Sequence, residues 1–160
     1  MASTCACSTD SLRVRLGEPA PLSFSAVLVN WGFAAPINPR PVHLVLLAGN
    51  GSRMIWHSPS MAQPTDWQPF VPGNPFYTPQ RHRFGGDWSL NLTQSPCVDA
   101  PSECEVDVGV WMPDSRNDMF VKEGVASAFS VRLANQDVGW ISVDGAGGVN
   151  AIGKMLLVIK

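Results

Sequence analysis

Charged residues are scarce in this chain. Asp, Glu, Lys and Arg account for 15% of its 160 residues, against about 25% in typical globular proteins, and the formal net charge is −2. Proteins that bind nucleic acid neutralise its phosphates with clustered Lys and Arg. The one basic cluster, Arg81-His82-Arg83, is interpreted as the solvated start of a strand, so nucleic acid is not an expected partner.

Long apolar runs are also missing. A membrane-spanning helix needs about 20 consecutive apolar residues, and the longest run here, Val42 to Ala48, is interrupted by His43. We therefore expect no membrane span. The first ten residues lack the apolar segment of a signal peptide. Two interpretations follow: an intracellular protein, or the downstream part of a longer exported protein.

Motifs of catalysis are absent as well. The chain contains no G-x-S-x-G elbow and no P-loop, and its histidines at 43, 57 and 82 lack the spacing of a metal site. Paired carboxylates would suit glycoside hydrolysis, but Asp114 directly follows a predicted strand and is expected to form an Asx turn. The other carboxylates considered are Asp66, Asp87, Asp118 and Asp144. We predict no catalytic residue, no metal site and no cofactor.

Turn-forming residues and apolar residues are what the chain does contain. Fourteen glycines and fourteen prolines indicate many turns and little helix, while 45% apolar residues in 160 are enough for one packed core. Between turn signals the apolar residues recur with period two, which is typical of strands. The segments of this kind are 12–16, 22–28, 52–56, 84–92, 104–112, 129–133, 138–143 and 155–159. Residues 42–47 are instead nearly all apolar, as in a strand that is buried on both faces, although periodicity alone does not exclude a helix there.

This pattern predicts an all-β fold. We expect an antiparallel β-sandwich of about eight strands, immunoglobulin-like or jelly-roll-like. Residues 12–160 form the single domain in this prediction, and residues 1–11 form a disordered tail. A long proline-rich loop is predicted at 58–80, and its aromatic residues indicate that it packs onto the body of the domain. Those aromatic residues are Trp67, Phe70, Phe76 and Tyr77.

Four cysteines bear on the cellular compartment. Cys97 and Cys104 bracket a polar segment that contains a proline, and a disulfide between them and a pair of free thiols both remain open. A zinc site is not favoured, because C-x-C combined with C-x6-C is not the usual ligand spacing. Two glycosylation sequons, at Asn50 and Asn91, favour export weakly.

The segment from Ala26 to Leu47 predicts strand, shaped loop, strand, because a glycine and two prolines in its short linker exclude a helix. It also opens a series of four blocks that span roughly residues 12–160. The blocks are Asn30-Trp31-Gly32-Phe33-Ala34 with Asn38-Pro39-Arg40; Asp66-Trp67 with Pro72-Gly73; Val110-Trp111-Met112-Pro113-Asp114; and Val131-Arg132-Leu133-Ala134-Asn135 with Val138, Trp140 and Asn150. In order and spacing, the chain resembles the C-terminal β-sandwich of the family called domain of unknown function 4832.

The resemblance implies a setting rather than an activity. In that family the sandwich usually follows a barrel that looks like a glycoside hydrolase, so the resemblance implies a non-catalytic accessory module of a carbohydrate-processing or cell-envelope protein. The implied partners are a neighbouring glycoside-hydrolase-like domain and polysaccharide. The implied location is extracellular or at the cell surface, as part of a longer exported protein.

The ligand-binding candidates lie in these blocks. Trp31, Trp67 and Trp111 could offer stacking faces to a sugar, and Arg40 a hydrogen-bond donor. We place Trp111 on the strand face opposite the core face. For each tryptophan, the alternative role is packing in the core or against a loop. For Arg40, the alternative role is a structural bridge. The alternative functions are a structural or protein-interaction module without a ligand, and a small stand-alone glycoside hydrolase.

Overall fold

β-strands dominate the computed structural model, which describes residues 11–30, 34–35, 38–48, 51, 53–97, 102–114, 130–133, 138–143 and 145–160. Eight strands and one short 3-10 turn, Pro64–Asp66, are found in these ranges. The strands are β1 Ser11–Val14, β2 Pro19–Val29, β3 His43–Ala48, β4 Arg53–Pro59, β5 Arg81–Asn91, β6 Glu103–Trp111, β7 Gly139–Val143 and β8 Gly147–Ile159. The predicted all-β fold of about eight strands is confirmed.

The strands form two sheets. The larger sheet has the order β1-β8-β6-β3-β4, with β7 paired to the first half of β8, and the smaller sheet consists of β2 and β5. The described pairs are antiparallel apart from β1 and β8, which run parallel. The sandwich is therefore mixed at one edge, whereas a purely antiparallel one was predicted.

The main core lies between the two sheets. β2 alternates as predicted, since one side of this strand is buried along its whole length while the other is exposed or half-buried. β3 is buried on both faces, also as predicted from its continuous apolar run. The largest fully buried side chains of this core are Phe84, Leu44, Leu46, Leu90, Met112 and Leu157.

Two β-bulges change which face of the larger sheet the side chains occupy. Ile55 of β4 and Ile152 of β8 are each skipped in the pairing with the neighbouring strand. One extra residue reverses the faces of the residues that follow it. Val149 therefore lies on the outer face, whereas Met155, six residues further on, lies in the main core. The outer face carries a second apolar cluster: Val45, Leu47, Val143, Ala146 and Val149.

The strand predicted at 129–133 is wrong in its described part. Residues 130–133 form only an isolated bridge between Ser130 and Pro113, and Phe129 lies outside the described residues. The backbone groups that a neighbouring strand would use are already engaged, because Leu133 N–H and Val131 C=O bond to the side chain of Asn150. Residues 130–133 are thus an extended segment whose apolar residues alternate as in a strand, although the segment does not belong to a sheet.

A disulfide closes the connection between β5 and β6. Cys97 and Cys104 are bonded, with their Cα atoms 5.3 Å apart, which decides between the two thiol states that the sequence left open. The other predicted features of the N-terminal region, including Cys5, Cys7 and most of the tail assigned to 1–11, lie outside the described residues; Ser11 already belongs to β1.

Removing this disulfide should destabilise the domain moderately. For a loop this short, the chain-entropy relation gives about 2.5 kcal/mol, and we expect Cys97→Ser/Cys104→Ser to lower the free energy of unfolding by that amount in a urea titration. Reducing the wild-type protein with dithiothreitol should give the same value as the double variant. An unfolding midpoint unaffected by both treatments would contradict the prediction.

Candidate functional site

Long connections meet at one end of the sandwich, and buried asparagines hold them there. Asn30, directly after β2, is buried, and its Nδ2 donates hydrogen bonds to Ala34 O at 2.9 Å and Trp67 O at 2.8 Å. The first two matched blocks are therefore joined by one amide. Buried polar groups are costly unless bonded, so Asn30 fixes the path of both loops.

Asn150 plays the same role between the third and fourth blocks. This residue is fully buried, and its Oδ1 accepts a hydrogen bond from Leu133 N at 2.7 Å. Its Nδ2 donates to Val131 O at 2.9 Å and to Val110 O at 3.2 Å. One side chain thereby ties an irregular segment to the centre of the larger sheet.

Arg40 forms an ion pair rather than a free donor. Its Nη1 lies 3.2 Å from Oδ2 of Asp114, and both side chains are largely buried. This pair links the first block to the third, and it corresponds to the bridging role that the sequence offered as the alternative for Arg40. Beside it is a groove of about 280 Å³ lined by Pro39, Arg40, Pro41, Val42, Pro59, Ser60, Ala62 and Gln63.

Trp111 lies on the outer face of β6, as predicted, and is half-buried there. Its Nε1 donates a hydrogen bond to Ala146 O at 2.9 Å, which fixes the ring. The ring centre is 5.1 Å from that of His43 and 5.8 Å from that of His57. Trp111 therefore belongs to a compact aromatic cluster with two histidines.

The two histidines of this cluster differ in environment. Nδ1 of His43 is buried and has no hydrogen-bond partner in the part of the chain that the structure describes, whereas His57 is exposed. Burial, and to a lesser extent repulsion from His57, lower the pKa of His43 from its ordinary value. Both effects favour the neutral form of the His43 imidazole.

Trp67, a second tryptophan predicted to bind ligand, is buried. Trp67 is 8% exposed and packs in the main core, the alternative that the sequence left open for it, so its ring offers little face for stacking. Trp31 lies outside the described residues. Of the four predicted ligand residues, then, Arg40 is ion-paired, Trp67 is buried, and Trp111 is held between other groups.

Among the residues that the structure describes, the most exposed aromatic rings are two that the sequence predicted to pack onto the body of the domain. Phe76 is 86% exposed and Tyr77 is 67% exposed, so the expectation that the loop buries its aromatic residues is wrong for this pair. Trp67 does pack onto the body, and Phe70 is half-buried. The available signal was local: Asn74-Pro75 is a turn dipeptide, and it directly precedes the two rings.

The loop that carries these rings is held by hydrogen bonds. Oδ1 of Asn74 accepts a bond from Phe76 N at 2.8 Å, and Asn74 O accepts one from Tyr77 N at 3.3 Å. Tyr77 has φ of +49°, a conformation that costs a non-glycine residue energy and occurs at binding sites. Its ring meets Phe70 edge to face at 5.0 Å.

The base of the loop is equally fixed. Phe70 forms a bridge with Pro79, and Gln80 N donates to Pro69 O at 2.9 Å. His82 Nε2 bonds with Gln68 O at 2.7 Å. The rings of Phe76 and Tyr77 are therefore presented to solvent by a segment with a defined shape.

Two of the carboxylates offered for hydrolysis bond to residues that are distant in the sequence. Asp114 pairs with Arg40, and Asp87 accepts a hydrogen bond from Ser23 Oγ at 2.5 Å. Asp118 and Asp144 lie outside the described residues. Within the described ranges there is no group of three or more His, Cys, Asp or Glu side chains able to hold a metal ion, and no helix of membrane-spanning length and hydropathy.

Comparison with known proteins adds no family assignment. No protein-family model matches this chain, and no curated protein matches it. The resemblance to domain of unknown function 4832 accordingly stays a prediction from the four blocks. The structure adds that residues of these blocks contact one another across the fold, through Asn30, Asn150 and the Arg40–Asp114 pair.

Proposed function

We propose that the protein is a non-catalytic β-sandwich accessory module that binds polysaccharide through Phe76 and Tyr77. The observation that carries this proposal is the exposure of two adjacent aromatic rings on a hydrogen-bonded loop. Folding normally removes rings of this size from water, since each one buries a large apolar area. Rings held in solvent by an ordered loop mark a surface that contacts a partner or ligand.

Sugar rings suit such a surface. A pyranose presents a flat face of C–H groups, and aromatic rings with fixed positions bind flat ligands without first losing loop entropy. The positive φ of Tyr77 and the Asn74 bonds supply that fixed position. Trp111 and Arg40 then have structural roles elsewhere in the fold rather than stacking on or bonding to the sugar.

The setting follows from the resemblance. The module accompanies a glycoside-hydrolase-like domain in a carbohydrate-processing or cell-envelope protein, outside the cell or at its surface. The Cys97–Cys104 disulfide supports that location, because disulfides persist mainly in oxidising compartments.

A second candidate function is favoured by the aliphatic residues of the same loop. Met61 is 94% exposed, and Val71 is also exposed. Neither side chain has a face on which a sugar can stack, and exposed apolar side chains beside aromatic rings are typical of protein contacts. A structural module that docks onto a neighbouring domain through this loop would use all four residues.

Glycan-array screening of the whole protein, followed by calorimetry on any hit, separates these candidates. We expect Phe76→Ala and Tyr77→Ala each to weaken glycan binding about tenfold or more, because truncating a central aromatic anchor typically costs about 2 kcal/mol. Met61→Ala and Val71→Ala are matched controls on the same loop and should leave the affinity within about twofold.

Two results would overturn the glycan proposal. One is an array without any hit for the folded wild-type protein. The other is a hit that survives both aromatic substitutions, since binding would then occur elsewhere. Equal losses from all four alanine variants on binding to a partner domain would support the docking function instead.

A further inference from the structure

We propose that His43 and His57 form a binding site for a divalent metal ion of the zinc class on the outer face of the larger sheet. This inference is independent of the proposed glycan site, because it concerns a different surface. It rests on the register of β3 and β4, on the separation of the two rings and on the hydrogen bonds of the chain's three histidines.

The register places both histidines on one face. β3 and β4 are antiparallel, with His43 opposite Pro59 and Val45 opposite His57. Residues directly opposite share a face, and so do diagonal neighbours two residues along. His43 and His57 are thus diagonal neighbours on the side that also carries Trp111, which is opposite His43 on β6.

The ring separation fits a chelate. Their ring centroids are 5.4 Å apart and the ring planes are inclined by 64°. In a zinc site the metal–nitrogen distance is about 2.0–2.1 Å, so each ring centre lies about 3.2 Å from the metal. At a tetrahedral angle of about 109°, two such ring centres are about 5.2 Å apart. The rings already stand close to this distance.

Nitrogen atoms remain available for a metal on both rings. In the described part of the chain, Nδ1 of His43 has no hydrogen-bond partner although it is buried, and His57 makes ring contacts only. His82 differs, because its Nε2 is hydrogen-bonded to Gln68 O. A buried nitrogen without a partner calls for a physical reason, and an unbonded imidazole nitrogen is the group that coordinates Zn²⁺, Cu²⁺ and Ni²⁺.

Trp111 limits the movement of the pair. Its indole is anchored to Ala146 O and lies against both imidazoles. Zn²⁺ is usually four-coordinate, so two protein ligands leave two coordination positions for water. No third His, Cys, Asp or Glu of the described residues joins the pair, so the site is a two-histidine site with exchangeable outer positions.

The test is a Zn²⁺ titration of the whole protein after removal of metal with EDTA. A Cys5→Ser/Cys7→Ser background keeps the N-terminal thiols from binding the ion. We expect one Zn²⁺ per chain by calorimetry, with the ¹⁵N resonances of His43 and His57 shifted and those of His82 unchanged. His57→Ala should weaken binding by about tenfold or more, since loss of even an outer-shell partner costs about 10–100-fold in metal affinity.

His82→Ala is the matched control and should leave the affinity within about twofold. His57 is exposed, so its substitution should not unfold the protein, which circular dichroism can check. The proposal is overturned if Zn²⁺ does not bind at all. It is equally overturned if Zn²⁺ binds as tightly to His57→Ala as to the background protein, or shifts the resonances of His82 alone.

Discussion

Truncation of Phe84 to alanine is expected to lower the free energy of unfolding by about 3–5 kcal/mol. Phe84 is almost completely buried on β5 and meets Phe24 of β2 edge to face, with ring centroids 5.8 Å apart. In the part of the chain that the structure describes, the smaller sheet has two strands, so packing against the larger sheet is its main source of stability. Removing the ring leaves a cavity at that contact. Urea denaturation followed by circular dichroism measures the loss.

Phe76→Ala provides the control for this prediction. The same side chain is removed, but Phe76 is exposed, and surface substitutions usually change stability by less than about 0.5 kcal/mol. Equal effects of the two substitutions would mean that Phe84 is not in the core or that the loop of Phe76 is part of it. Either finding would contradict the arrangement of the two sheets.

Asn150→Leu is expected to cost about 3 kcal/mol or more. Leucine has the same number and branching of side-chain heavy atoms as asparagine but cannot form hydrogen bonds, so the loss reports mainly on those bonds. The change removes the partners of Leu133 N, Val131 O and Val110 O, and each buried group left unbonded costs about 1–3 kcal/mol. We also expect the amide of Leu133 to lose its protection from hydrogen exchange, because its acceptor is gone.

Asn91→Leu is the matched control for that substitution. Asn91 is exposed at the end of β5, and its replacement should change the unfolding free energy by less than about 0.5 kcal/mol. If Asn150→Leu cost less than about 1 kcal/mol, or left the exchange of Leu133 unchanged, the role assigned to Asn150 in holding residues 130–133 would be wrong.

The two-residue period of apolar side chains predicts the strands of this fold, because buried and exposed positions alternate within each short segment of the chain. The alternation of β2 shows that one face of this strand is buried, and the continuous apolar run of β3 shows that both of its faces are buried. Each pattern can be recognised from a few consecutive residues. The face assigned to Trp111 is correct for the same reason. The pattern fails at 130–133, where an extended segment bonds to an amide 17 or more residues away. Periodicity cannot distinguish such a segment from a strand.

The candidate site is less predictable, because it depends on contacts between distant residues. The sequence leaves Arg40 open between a sugar-binding donor and a structural bridge, because its ion-pair partner Asp114 is far along the chain. Phe76 and Tyr77 resemble core residues by composition, and only the turn at Asn74 and the positive φ of Tyr77 direct them outward. The approach of His43 to His57 depends on the register of β3 with β4, which the sequence does not reveal.

Because of the bulge at Ile152, the number of residues in β8 decides which of its side chains face the main core. A one-residue deletion on the surface of a protein is often silent, but deleting Ile152 would restore a regular ladder with β6 and turn the first half of β8 inside out. The amide of Asn150 would then point to the outer face, and Val149 would enter the main core. Homologous chains should therefore vary in length at their connections while keeping the number of residues between Asn150 and Met155 constant.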